Sequence, residues 1–310
     1  MTQGRFELTV GPLLFNWPAE RLADFYARIA DEAPVDRVVI GESVCSKREP
    51  FHTGCTEAAI ERLERAGKKV VLASLTLVTL ERERRAARAM FAPAEGEDGA
   101  REVDIDDLTL LGFVPAGGGF SVGPMVNVYG EATLGFLARH GARRVCLPPE
   151  LPFASVAVLG RAAAELGVGL ELFAYGRMPL AISGRCYHAR VHGLSKDSCQ
   201  FVCEQDPDGL PVRTSDGTDF LAINGVQTLS YKYANLVGDL DRLAGAGVTS
   251  LRLSPHSGDF VAVTQAFARA AAGEIAPREA LRQVQAAAPE AAFTNGFLFG
   301  DCGAAALPAA

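Results

Sequence analysis

The stretch Arg144-VCLPPELPFASVAVLGRAAAELGVGLELF-Ala174 decides the fold. It opens with a short apolar run at 144–147, halts at a proline-rich turn, and continues through a small-residue helical segment at 155–167 that ends on Gly167. A second apolar run follows at 169–174. Strand, helix and strand succeed one another in a space that suits a parallel crossover, and unbroken apolar strands are those buried in a parallel sheet. The same rhythm extends in both directions. Strands are expected at 6–10, 37–41, 69–74, 120–128 and 249–253, and helices at 19–32, 57–67, 80–91, 131–140 and 233–245. Glycines 67, 141, 167 and 247 punctuate helix ends just before strands. A weaker unit, 102–104 followed by 106–111, brings the strand count to eight, which predicts a (β/α)8 TIM-barrel-like single domain over 1–310. An open doubly wound α/β sheet is the alternative. It lacks a glycine-rich dinucleotide fingerprint after the first strand, and the triplet Gly117-Gly118-Gly119 precedes a strand and reads as a loop.

One region breaks the rhythm. Residues 183–231 show no convincing helix and carry the turn signals Asp206-Pro-Asp-Gly, Ser215-Asp-Gly and Asn224-Gly, so an irregular insertion with β-hairpins is expected. Three of the seven cysteines, Cys186, Cys199 and Cys203, fall inside it with twelve and three residues between them. Cys45, in GESVCSKR, follows the strand at 37–41. In a barrel both segments emerge at the C-terminal rim, so four thiolates can meet there, a donor set that suits zinc and iron–sulfur clusters equally. His188 and His192 offer a replacement ligand in a zinc site. Cys55, Cys146 and Cys302 read as isolated small hydrophobes. A redox dithiol is disfavoured, because three residues separate Cys199 from Cys203 where thioredoxin-type motifs have two.

Composition narrows the class. A net charge of −7 argues against a nucleic-acid surface, and the basic stretch 82–88, interleaved with Glu81 and Glu83, reads as a solvated helix face. No apolar run is long enough to cross a bilayer, and residues 1–15 lack a signal peptide's basic start and cleavage site. A cytoplasmic protein that is not transmembrane is expected, and in that compartment thiols stay reduced. At the rim, Glu42, Ser43, Lys47 and Arg48 flank Cys45, while Asn127, Glu150, Tyr175, Arg252 and His256 end or follow other strands. Each is a candidate for the pocket lining or for fixing a loop. Arg252 is also a candidate partner for a core carboxylate, and His256 for capping the next helix. No catalytic base stands out.

The segment ELFAYGRMPLAISGRCYHAR, 171–190, resembles the signature of the U32 peptidase-like family, in which an E-x-F-x-H-G strand runs into S-G-R-C. Glu171, Phe173, Gly176, Ser183, Gly184, Arg185 and Cys186 match, whereas Tyr175 stands where the pattern has histidine. GESVCSKR, the cysteine spacing, CLPPEL at 146–151 and TNGFLFGDCG at 294–303 resemble the members that act in oxygen-independent ubiquinone biosynthesis. That resemblance implies a [4Fe–4S] cluster on Cys45, Cys186, Cys199 and Cys203, and shifts the metal from zinc to iron. It further implies a heterodimer with a UbiU-like U32 protein and the hydroxylation of an aromatic ubiquinone precursor without dioxygen. Two competing expectations are a scaffold subunit stapled by its metal and a U32-type hydrolase. The sequence offers no nucleophile elbow or HExxH in support of the latter.

Overall fold

The computed structural model describes residues 6–92 and 100–308. The first five residues of the N-terminal stretch read above lie outside that range. Strands and helices alternate from β1 (Glu7–Val10) and α1 (Ala19–Glu32) through β2 (Arg37–Ile40), α2 (Glu49–Arg65), β3 (Lys69–Ala73), α3 (Glu81–Ala89), β4 (Glu102–Ile105) and β5 (Phe120–Val122). They continue with α4 (Glu131–Arg139), β6 (Ala142–Leu147), α5 (Phe153–Leu166) and β7 (Gly169–Ile182). After an insertion come α7 (Leu240–Gly245), β11 (Ser250–Leu253), α8 (Phe260–Ala271) and α9 (Pro277–Ala287). The insertion itself contributes α6 (Tyr187–Val191), β8 (Leu210–Arg213), β9 (Asp219–Asn224) and β10 (Gln227–Asn235), and β12 (Phe293–Thr294) pairs beside β10.

Strands β1 to β7 pair in parallel, each with its sequence neighbour. β11 closes the ring by pairing in parallel with both β1 and β7. The sheet is therefore a closed eight-stranded (β/α)8 barrel, and the open doubly wound alternative is excluded. Outward side chains such as Leu8, Val38, Val70, Val103 and Leu251 join the helices in one apolar core. On α1 the buried residues Leu22, Phe25, Tyr26, Ile29 and Ala30 recur at helical spacing along one face.

The inward positions, alternating with these, are far more polar than uniformly apolar strands would predict. Thr9, Arg37, Asp104, Ser121, Glu171 and Arg252 are all buried. Arg252 donates from Nε to Glu171 Oε2 at 2.7 Å and from Nη1 and Nη2 to the two Asp104 oxygens at 2.6 and 3.1 Å. A second cluster ties Arg37 and Lys69 to Glu102, at 2.8 and 2.5 Å.

Several expected boundaries move. The segment at 233–245 divides into the end of β10 and the short α7, because Tyr233, Ala234 and Asn235 continue the antiparallel ladder with β7. The strand expected over 120–128 stops at Val122. β7 runs well past the barrel: its second half pairs with β10, which pairs with β9, which pairs with β8. Gly176 lies where β7 passes from its partner β11 to β10, with φ +115°; a Cβ there would lie 2.7 Å from Ser254 Cβ, so only glycine passes. The insertion is thus an antiparallel extension of the barrel sheet, with the cysteine loop between β7 and β8. Contrary to expectation it also contains a helical turn, α6.

Candidate metal centre

Cys45 sits in the loop after β2. Glu42 shapes that loop by accepting the Val44 and Cys45 N–H groups on Oε1 at 2.7 and 2.9 Å. The next residues reach across to the insertion. Lys47 Nζ donates to Lys196 O at 2.7 Å and pairs with Asp197 at 3.1 Å. Arg48, 1 % exposed, donates from Nη1 to Leu14 O at 2.9 Å and from Nη2 to Asn224 Oδ1 at 3.1 Å. Phe51 meets Phe201 edge-on, with ring centroids 4.7 Å apart. The turn between β9 and β10 closes against Arg48: a Cβ on Gly225, at φ +61°, would lie 3.2 Å from Nη2.

These contacts bring Cys45, Cys186, Cys199 and Cys203 to the wall of one small cavity, which Arg48, His188, Lys196, Phe201 and Val226 also line. Cys186 caps α6, its sulfur accepting Ala189 N–H at 3.4 Å. Burial raises the thiol pKa of Cys45, while Arg48 draws it back. The Cys203 thiol is likewise raised by burial and by the neighbouring Cys186 and Cys199, with Arg48 lowering it by charge and hydrogen bond. Burial disfavours the Arg48 cation itself, yet Glu42, Cys203 and Cys45 outweigh that and hold its pKa above the usual value. Four soft donors and one buried cation in a shared pocket can hold a thiophilic metal once the thiols lose their protons. Between Cys199 and Cys203 the backbone is strained: Gln200 and Phe201 have φ values of 49° and 54°.

The loop after β2 is braced from its other side by α3. Glu83 accepts Ser46 Oγ–H at 2.6 Å and the Thr79 and Leu80 N–H groups at 2.9 Å each. The helix expected to be a solvated face therefore has one buried carboxylate that fastens the cysteine loop.

The other rim candidates lie apart from the thiols. Arg252 belongs to the barrel-interior charge cluster. Tyr175 points away from the axis into an aromatic group with Tyr233, His256, Phe260, Phe267 and Phe293. His256 Nε2 accepts Arg177 N–H at 3.0 Å, and it is Asp259, not His256, that caps α8, accepting Ala262 N–H at 3.3 Å. Glu150 accepts the Tyr129 hydroxyl proton at the mouth of β6, and Asn127 is exposed after β5. Cys146 is buried inside the barrel with Phe173, Met178 and Ala234.

The sequence reading missed three groups. Asp206 and Asp208 passed as turn residues, yet the whole turn is docked. Asp206 Oδ2 lies 2.8 Å from His188 Nε2, Pro207 O accepts Trp17 Nε1–H at 2.7 Å, and Asp208 accepts Ser257 N–H at 2.8 Å. Asp106, just after β4, is buried, and burial together with the charge of Asp104 pushes its carboxyl up to about 7. Asn224 holds Leu14 O through Nδ2 at 2.7 Å besides accepting from Arg48. No spacing pattern ties Asp206 to His188 and His192; only the fold brings them together.

Among the described residues no helix is long and apolar enough to cross a membrane. A family profile described as Peptidase family U32 matches residues 19–306. A solved structure described as the crystal structure of a beta-N-acetylhexosaminidase is 11 % identical, covers 92 % of this chain and 76 % of that one, and superposes with a TM-score of 0.33.

Proposed function

From a chain that belongs to peptidase family U32, we propose a UbiV-like role: a [4Fe–4S]-bearing subunit, paired with a UbiU-like U32 protein, in the oxygen-independent hydroxylation of an aromatic ubiquinone precursor. The observation that carries this reading is the meeting of Cys45 with Cys186, Cys199 and Cys203 in one cavity beside the buried Arg48. The donor set fits a cluster better than a single ion. Around one zinc, four sulfurs at bonds of about 2.3 Å would stand roughly 3.8 Å apart. Among the described residues, the ligating atoms gathered within 4.8 Å of one another are those of His188, His192 and Asp206, and no three thiols come so close. Wider spacing suits a group whose iron atoms sit at separate corners.

Cys45, Cys186, Cys199 and Cys203 would hold the cluster, which supplies one-electron transfer when bound. Glu42 orients the Cys45 loop through two N–H groups. Arg48 offsets thiolate charge and, as a fixed cation at the sulfurs, favours the more negative, reduced state. Lys47, Arg48 and Phe51 keep the insertion docked on the barrel so that the ligands stay in register. Such fastening also supports a second reading, in which the metal chiefly staples the insertion to a scaffold.

The test is anaerobic purification of the full chain together with a second U32 protein. A chain that is brown when separated from its partner and loses its colour in Cys199→Ala, with loss of hydroxylation by the complex, supports the proposal. Ligand variants that lose iron yet still pair and still support hydroxylation favour the scaffold. A colourless chain with one zinc on its cysteines overturns the cluster.

A further inference from the structure

We infer that His188, His192 and Asp206 form a second, mononuclear site for a divalent first-row cation, Zn2+ or Fe2+, beside the four-cysteine cavity. Their ligating atoms lie within 4.8 Å of one another. His188 and His192 are four residues apart across α6 and its C-cap, so both rings project from the same side, and they lie nearly parallel, 10° apart, with centroids separated by 5.9 Å. Asp206 is held in place independently, because the turn it begins is anchored at Trp17 and Ser257. Two imidazoles and one carboxylate, with His192 exposed and Asp206 partly so, make a three-ligand site with coordination positions open to solvent.

The position of His188 points the same way. Nε2 faces Asp206 Oδ2 at 2.8 Å, so these two ligating atoms already converge. Nδ1 is buried and has no hydrogen-bond partner. The inference stands apart from the cluster reading, since its ligands include no cysteine.

Metal analysis after equilibrium dialysis of the full chain against micromolar zinc, with affinity measured by chelator competition, tests it. Wild-type protein should keep about one zinc per chain beyond any metal on the thiols. His192→Ala, at an exposed position, and Asp206→Asn should weaken that zinc at least about tenfold and leave the iron content intact. Cys45→Ala should lose the iron and keep the zinc. Zinc absent from the wild type, unchanged in His192→Ala, or lost together with iron in Cys45→Ala overturns the site. If Cys45→Ala leaves iron untouched while His192→Ala removes zinc, the cluster reading fails and this one stands.

Discussion

Two buried arginines divide the molecule into its two kinds of chemistry. Arg252, inside the barrel, meets carboxylates at every arm: Glu171 at 2.7 Å and both oxygens of Asp104. Arg48, at the rim, is as deeply buried but donates to neutral oxygens of Leu14 and Asn224. Its nearest carboxylate, Glu42, stands 3.9 Å away and is already engaged with two backbone N–H groups. A buried charge is costly unless matched. The interior cluster matches its own charges and so acts as framework. The rim sets a cation with one carboxylate at 3.9 Å beside four thiols, the arrangement expected where negative charge arrives with ionised sulfur and metal.

The largest effect should come from breaking the matched site. Arg252→Met leaves Asp104 and Glu171 buried without their counter-charge and should cost about 3–5 kcal/mol in urea unfolding. Arg48→Met, in the metal-free protein, should cost less, about 1–3 kcal/mol, as Leu14 O and Asn224 lose a donor. An equal or greater loss at Arg48 would break the comparison. In the metal-loaded protein the same change should move the reduction potential to more negative values, read by spectroelectrochemistry, and Arg48→Lys should recover part of the shift.

Asp106 sharpens the account of the interior. Its folded pKa is raised to about 7, chiefly by burial and then by Asp104. Between its unfolded value, near 4, and 7, the folded state holds a proton that the unfolded state has released, so this group's contribution to stability is lost as pH rises. Asp106→Asn should therefore gain on the parent between pH 5 and pH 8, by more than about 1 kcal/mol in chemical denaturation. A gap that stays constant with pH would remove Asp106 from the interior ledger of charges. The smallest effect is expected at the rim loop. Gln200→Gly relieves a left-handed backbone and should stabilise the metal-free chain by up to about 1 kcal/mol in thermal unfolding.

The barrel was legible because its outward strand positions and its helix-ending glycines recur along the chain. Gly167, at φ +67°, closes α5 as its place before a strand implies. The polar interior was legible only at Arg252, expected to meet a core carboxylate; an isolated Asp104 or Glu171 in a strand does not show that it will be the partner, 148 or 81 residues away. The meeting of Cys45 with the other three thiols followed from barrel geometry, in which strand ends share a rim. What fastens them did not. Lys47 and Arg48 stood out as neighbours of Cys45, but their partners Lys196, Asp197 and Asn224, and the contact of Phe51 with Phe201, appear only once the insertion folds back over the loop. The error at 233–245 has a similar cause: the ladder with β7 overrides a locally helical pattern.

The central claim is that Cys45, Cys186, Cys199 and Cys203 jointly hold a [4Fe–4S] cluster. Iron and sulfide analysis of the anaerobically purified chain, with Cys45→Ala alongside, tests it most directly. The account predicts about four iron and four sulfide per chain, lost in Cys45→Ala while circular dichroism still reports a folded barrel. A chain that carries no iron, or one whose iron is indifferent to Cys45, would contradict it.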